Sequence, residues 1–153
     1  MIFLFAAYMR IAIEDATMTY SIGELARRTG VNAETIRYYD RLELFGKLSR
    51  SAAGRRVFES QDLETLLFIR HCREMLFSIE NIRELLPLRS KGPCSTVKVI
   101  AGRHLDELRA RLKVLSSLEK KLAEAVSRCP GDASSDCTVL ALLQAPERNL
   151  AHA

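Results

Sequence analysis

The chain has 153 residues, enough for one ordinary domain or for a small domain with an extended helix, which argues against a multidomain enzyme. Apolar residues make up 48% and charged residues 27%, the balance of a folded chain and not of a disordered tail. Lys and Arg outnumber Asp and Glu by 23 to 19, an excess of +4 that permits a polyanionic partner without requiring one. The 6 Phe and 4 Tyr all lie at or before Phe77, so the two halves are built differently.

The opening MIFLFAAYMRIAIEDA is an apolar run broken by Arg10, with no basic segment before it, which fits neither a signal peptide nor a membrane span. Residues 1–17 are expected to be a loosely held extension or an over-extended start, because Met18 directly precedes an organised segment. No apolar stretch of membrane-spanning length follows, and the expected location is the cytoplasm.

Ser21 followed by IGELARR gives an N-cap, an early acid at Glu24 and one apolar face of Ile22, Leu25 and Ala26. Thr29-Gly30-Val31 breaks that helix. Asn32 caps a second one, AETIRYYDRLEL, expected to run on to Leu44. Two short helices joined by a turn with a central Gly are the sequence form of a helix-turn-helix, here over about 23–42. The segment KLSRSAAGRRVF, Lys47 to Phe58, is short, basic and turn-centred on Ala53-Gly54, and reads as a two-stranded wing with Arg55 and Arg56 at its return. Between Tyr20 and Phe58 stand 8 Lys or Arg and 4 Asp or Glu, so the positive charge is concentrated in this segment. Ser60 is expected to cap a helix carrying Leu63, Leu66, Ile69 and Met75, and Ser78 another that ends before Pro87. Residues 18–92 therefore read as a winged helix-turn-helix domain.

From Pro93 a long helix is expected through residue 128. Leu108, Leu115 and Leu122 fall seven apart, Leu105 and Leu112 form a second row, and Gly102 and Glu119 interrupt the pattern. Extending the first row reaches Ala101 at one end and Cys129 at the other. The chain offers no second long helix to cover this seam, which favours a homodimer. The fold class expected is mainly α: a winged helix-turn-helix, a long antiparallel coiled-coil dimerisation helix, and a C-terminal loop and short helix over 129–144, with a disordered tail at 145–153.

Four cysteines are too few for a disulfide scaffold of this length, and point to thiols or metal ligands in a reducing compartment. Cys94 opens the long helix and Cys129 follows its end, roughly 50 Å apart at 1.5 Å per residue, so they cannot meet within one chain. In an antiparallel pair, Cys94 of one chain approaches Cys129 and Cys137 of its partner, giving two identical three-thiol sites per dimer. Pro130 and Gly131 allow the loop CPGDASSDC to turn both sulfurs inward. Helix N-terminal amides beside Cys94 and after Cys137 favour thiolates. Soft thiolates select Hg(II), Cd(II), Pb(II), Zn(II) or Cu(I). Two suit linear binding of a monovalent ion and three suit trigonal binding of a divalent one, with Lys98 available to offset the remaining charge. Cys72, in FIRHCREM, reads as a small core residue. His104 is expected to be solvated, and His71 and His152 offer no constellation.

The run YSIGELARRTGVNAETIRYYDR, with GRRVF and FIRHCREMLFSIENIRELL after it, resembles the MerR family of metal-responsive transcription regulators, and the likeness covers Thr19 to Gln144. The resemblance implies a dimer on double-stranded promoter DNA, with the second helix in the major groove and the wing on phosphates. Thr35, Arg37 and Tyr38 match the first region, Arg55 and Arg56 the second. It also implies repression or activation through DNA distortion that lets RNA polymerase engage the promoter. Where the family has a Gly and then prolines, this chain has Glu43, Gly46 and Leu48, so either the left-handed turn has moved to Gly46 or the wing is repositioned. The loop CPGDASSDC and Lys98 resemble the copper-efflux branch, which senses Cu(I), Ag(I) and Au(I). Cys94 stands where that branch has Ser and where sensors of Hg(II), Zn(II), Cd(II) and Pb(II) have Cys. A third thiolate changes the coordination number, so the expected effector is a divalent soft ion bound by Cys94, Cys129 and Cys137. A thiol redox sensor with a Cys129–Cys137 disulfide and a structural adaptor are the competing readings. No acid-base pair, phosphate-binding loop or nucleophile constellation points to an enzyme.

Overall fold

The computed structural model describes residues 18–46, 48–51, 54–130 and 137–144. The expected extension at 1–17, the tail at 145–153 and the centre of the expected metal loop lie outside the described residues. The chain divides into two compact units with a border between Val97 and Lys98, inside its longest helix.

In the first unit the strand β1 (Thr19–Tyr20) leads into α1 (Ile22–Thr29) and α2 (Ala33–Arg41). The extended Ser21 turns its Oγ to accept the Glu24 N–H at 3.2 Å, satisfying one donor that the first turn of α1 leaves open. Gly30 ends α1 at φ 68°, where its N–H bonds the Ala26 carbonyl at 2.8 Å. A β-carbon would be strained in that conformation. Asn32 starts α2 by accepting the Glu34 N–H at 2.8 Å.

The second helix stops three residues short of the expected Leu44 because Glu43 adopts φ 56°. Its N–H reaches the Asp40 carbonyl at 2.9 Å and the Leu44 N–H reaches Tyr39 at 3.1 Å, a Schellman-type ending. The left-handed residue is therefore Glu43 itself, and not Gly46. Ending there folds Leu44 and Phe45 back into the core.

The strands β2 (Ser49–Arg50) and β3 (Arg56–Glu59) form the expected wing hairpin, Ser49 opposite Val57 and Arg50 opposite Arg56. Its turn uses Gly54 at φ 72°, and the expected centre at Ala53 lies outside the described residues. β3 is also the middle strand of a three-stranded antiparallel sheet, with Thr19 opposite Glu59 and Tyr20 opposite Phe58. A two-residue strand carries no periodicity, so β1 was not visible in the sequence.

The helix α3 (Ser60–Glu74) begins one residue earlier than expected, with Glu59 and not Ser60 at the cap. Asp62 accepts the Glu59 N–H at 2.8 Å, half of a capping box. Ser78 caps α4 (Ile79–Leu85), and a single 3-10 turn, Leu86–Leu88, contains Pro87. The core joins Leu25, Ile36, Phe58, Leu66, Ile69 and Ile82, each fully buried, and the Phe45 and Phe58 rings meet edge to face at 5.6 Å. Each such side chain contributes roughly 1.5–3 kcal/mol by leaving water.

The helix α5 (Cys94–Arg128) runs without a break past Gly102 and continues through the second unit. Ile100 and His104, one turn apart on one face, are both buried. His104, 3% exposed, is thus not the solvated residue its charged neighbours suggested, and its Nδ1 lies 3.8 Å from the Glu107 carboxylate one turn on. Leu105, Leu112, Leu115 and Leu122 are exposed, between 46% and 64% of their surface. The short helix α6 (Thr138–Gln144) is tied to the end of α5 by the Thr138 hydroxyl, which donates to the Ala125 carbonyl at 2.7 Å. Among the described residues no helix is long and apolar enough to cross a membrane.

Candidate nucleic-acid interface and metal centre

The first unit presents α2 and the wing from one small scaffold. Thr35 is half-buried on α2, while Arg37 and Tyr38 are exposed on it, and Arg37 is ion-paired with Glu34 one turn back. An exposed pair of that kind is weak and readily traded for a stronger anion. Arg55 is exposed at the wing, its N–H bonded to the Ser51 hydroxyl at 3.2 Å. Arg56 differs from its neighbour, since its Nε lies 2.6 Å from the Asp40 carboxylate on α2.

Arginines from the following helices hold the helix-turn-helix by its free carbonyls. Arg70 donates to the Thr29 carbonyl at 2.6 Å, at the end of α1, and Arg83 donates to the Leu42 carbonyl at 2.9 Å, just past α2. Both satisfy acceptors that a helix end leaves open. Asp40 and Arg83 carry no local signal in the sequence, because their partners are distant along the chain and belong to other elements.

At the other end of the molecule's sequence, Cys129 and Cys137 bring their Sγ atoms to 3.7 Å. Amide N–H donation from Leu140, the hydrogen bond with Cys129 and a further amide at Val139 hold the Cys137 thiol below the ordinary thiol range. A lowered thiol pKa favours the thiolate, the form that binds metal. Cys94 is exposed at the first position of α5, and Cys72 is buried in the first unit, where desolvation pushes its thiol up to about 11. Cys72 is therefore a core residue and a poor ligand at neutral pH.

Among the described residues no group of three or more His, Cys, Asp or Glu stands together to hold a metal, so the Cys129/Cys137 pair supplies two sulfurs and lacks a third. With metal–sulfur bonds of about 2.3 Å, two ligands of one tetrahedral or trigonal ion lie about 3.8–4.0 Å apart, and two ligands of a linear ion about 4.6 Å. The observed 3.7 Å is a thiol–thiol contact, close enough for both sulfurs to reach one soft ion.

Comparison with known proteins agrees with this architecture. Residues 20–88 match the MerR HTH family regulatory protein model, and residues 63–125 match the model described as MerR, DNA binding. The chain is 38% identical over 130 residues to the HTH-type transcriptional regulator ZntR of Escherichia coli K12, covering 82% of this chain and 92% of that one. The chain belongs to the MerR family.

Several of its relatives in the family are named for metals. The mercuric resistance operon regulatory protein of Bacillus cereus is 33% identical over 115 residues, 74% of this chain and 87% of that one. The crystal structure of the transcription regulator PbrR691 from Ralstonia metallidurans CH34, in complex with lead(II), superposes with a TM-score of 0.67 at 31% identity, covering 81% of this chain and 98% of that chain. This MerR-family chain is accordingly a metal-responsive helix-turn-helix regulator, and its relatives are regulators and not enzymes.

Proposed function

We propose that the protein is a homodimeric, cytoplasmic regulator that sits on promoter DNA and responds to a divalent soft ion, Hg(II), Cd(II), Pb(II) or Zn(II), in preference to Cu(I). Thr35, Arg37 and Tyr38 meet the major groove, and the wing carrying Arg55 and Arg56 meets the flanking backbone. Cys129 and Cys137 of one protomer hold the ion with Cys94 of its partner. The observation that carries this reading is the 3.7 Å sulfur–sulfur separation at the foot of α5. It leaves room for one more ligand, and Cys94 is the remaining exposed thiol at the opposite end of the same helix. The exposed leucine rows of α5 support an antiparallel partner that would bring the two ends together. The relatives named for mercuric resistance and for a lead(II) complex support the divalent class.

Metal binding would favour one arrangement of the dimer, and the DNA would be bent or twisted so that RNA polymerase engages the promoter. Such deformation costs of order 1–6 kcal/mol, which a multi-thiolate site supplies only through a difference in affinity between the two states.

The test is anaerobic titration of the wild type and Cys94→Ser with Hg(II), Cd(II) and Cu(I), read by thiolate charge-transfer absorption. The three-thiolate site predicts loss of the Hg(II) and Cd(II) signals in the variant with Cu(I) binding retained. Intact divalent signals in Cys94→Ser would remove Cys94 from the site. The two thiols are also near enough to oxidise to a disulfide, and mass spectrometry of protein kept reducing that shows bound metal and free thiols would argue against that redox reading.

A further inference from the structure

Three fastenings converge on the last turn of α2. The Asp40 Oδ2 is shut off from solvent, and its cationic neighbour is the Nε of Arg56, the first residue of β3, at 2.6 Å. Two residues on, the Leu42 carbonyl receives Arg83 from α4 at 2.9 Å. Between them the backbone reverses at Glu43 through the left-handed conformation, closed by the Leu44 bond to Tyr39. α2 is thus tied to the wing through one side chain and to α4 through another, both at the end of the helix that follows Arg37 and Tyr38.

The Asp40 side chain is 13% exposed and that of Arg56 46%, and Oδ2 accepts no hydrogen bond, so removing Arg56 would leave a carboxylate oxygen shut off from water without the cation beside it. Arg55 and Arg56 are both exposed, and Arg56 differs in placing its Nε against the Asp40 carboxylate. The two wing arginines therefore do different work, although in the sequence they are equivalent.

We infer that Asp40, Arg56 and Arg83 are positioning residues that fix the angle between α2 and the wing, and that this angle, more than a phosphate contact by Arg56, sets which DNA sequences the protein selects. The inference rests on the DNA-binding reading above. A helix that reads base edges must hold them within a fraction of an ångström while the wing holds the backbone, and a loosened joint relaxes base discrimination before it weakens charge attraction.

The experiment uses the full-length protein and two duplex pools, a random-sequence library and the fraction of it enriched by selection on the wild type. The specificity ratio is the affinity for the enriched pool over that for the library, and the salt slope is measured on the library. Asp40→Asn and Arg56→Gln are each expected to lower the ratio about tenfold, the scale of one lost base-pair discrimination. Library affinity of Asp40→Asn, which removes no cation, should stay within about twofold of wild type, and the specificity ratio of the double variant should fall no further than that of the worse single one. A phosphate-gripping Arg56 gives another pattern: Arg56→Gln reduces the salt slope by about one while Asp40→Asn changes nothing, and that result overturns the inference. Thermal melts accompany each variant. If Asp40→Asn does not fold, Arg83→Gln carries the test, a tenfold lower ratio supporting the joint and an unchanged ratio overturning it. A wild type that binds neither pool at low salt refutes the DNA-binding reading itself, whereas a binding wild type with unchanged variants refutes only the joint.

Discussion

Replacing Glu43 with Gly should stabilise the protein, against the usual direction of Gly substitutions. At φ 56° an L-residue pays about 1–2 kcal/mol for the clash of its β-carbon with the backbone. Gly removes that cost but enlarges the unfolded ensemble, losing about 0.4–1 kcal/mol. Glu43 is exposed, so no packing is forfeited, and the two Schellman bonds are made by backbone groups that Gly retains. The net gain is about 0.5–1 kcal/mol, or roughly 2–5 °C in Tm for a chain of this size. A carboxylate at a helix C-terminus is itself unfavourable by about 0.3–1 kcal/mol, so Glu43→Gln is needed to separate charge from backbone. Urea unfolding at one fixed protein concentration gives the comparison, since a dimer's stability depends on concentration. Glu43→Gly should exceed Glu43→Gln by about 0.5–1 kcal/mol with an unchanged m-value. If Gln stabilises as much as Gly, the strain is not in the backbone and the turn does not have the conformation described here.

The leucine seam of α5 and the buried thiol each carry a further prediction. Leu115→Glu should weaken the dimer by roughly 3 kcal/mol, over a hundredfold, by burying carboxylates in an apolar seam, with helical content little changed because Leu115 is exposed within one chain. Sedimentation of the variant as a wild-type dimer would show that the seam lies elsewhere. Iodoacetamide at neutral pH should label Cys94 well before Cys72, whose thiol burial raises from 9.0 to about 11. The same shift lowers stability as pH rises from about 9 through 11, since the unfolded thiol ionises there while the native one keeps its proton. Cys72→Ala should flatten that part of the stability–pH curve, and an unchanged slope would assign it to other groups.

Much of this molecule is legible one segment at a time. Ser21, Asn32 and Ser78 cap the helices they were expected to cap, because a side chain three or fewer residues from its partner needs no tertiary structure to find it. The glycine turn between α1 and α2, the wing, the unbroken α5 and the short helix after Cys137 follow from equally local signals, and so does the uncovered leucine seam. The sequence by itself also named the thiols that stand together at the end of α5, since Pro130 and Gly131 announce a reversal between them.

The tertiary structure decided where local rules tie or fall silent. A left-handed turn costs an L-residue about 1–2 kcal/mol and glycine almost nothing, so local rules favoured Gly46, and the burial of Leu44 and Phe45 goes with the turn at Glu43 instead. His104 shares its burial with Ile100 one turn before it, and flanking charges do not report that. Arg55 and Arg56 are adjacent and chemically identical, and only Asp40, standing on another element, sets Arg56 apart by giving it an anionic neighbour. Sequence resolves what neighbours along the chain determine, and contacts between distant segments remain a property of the folded molecule.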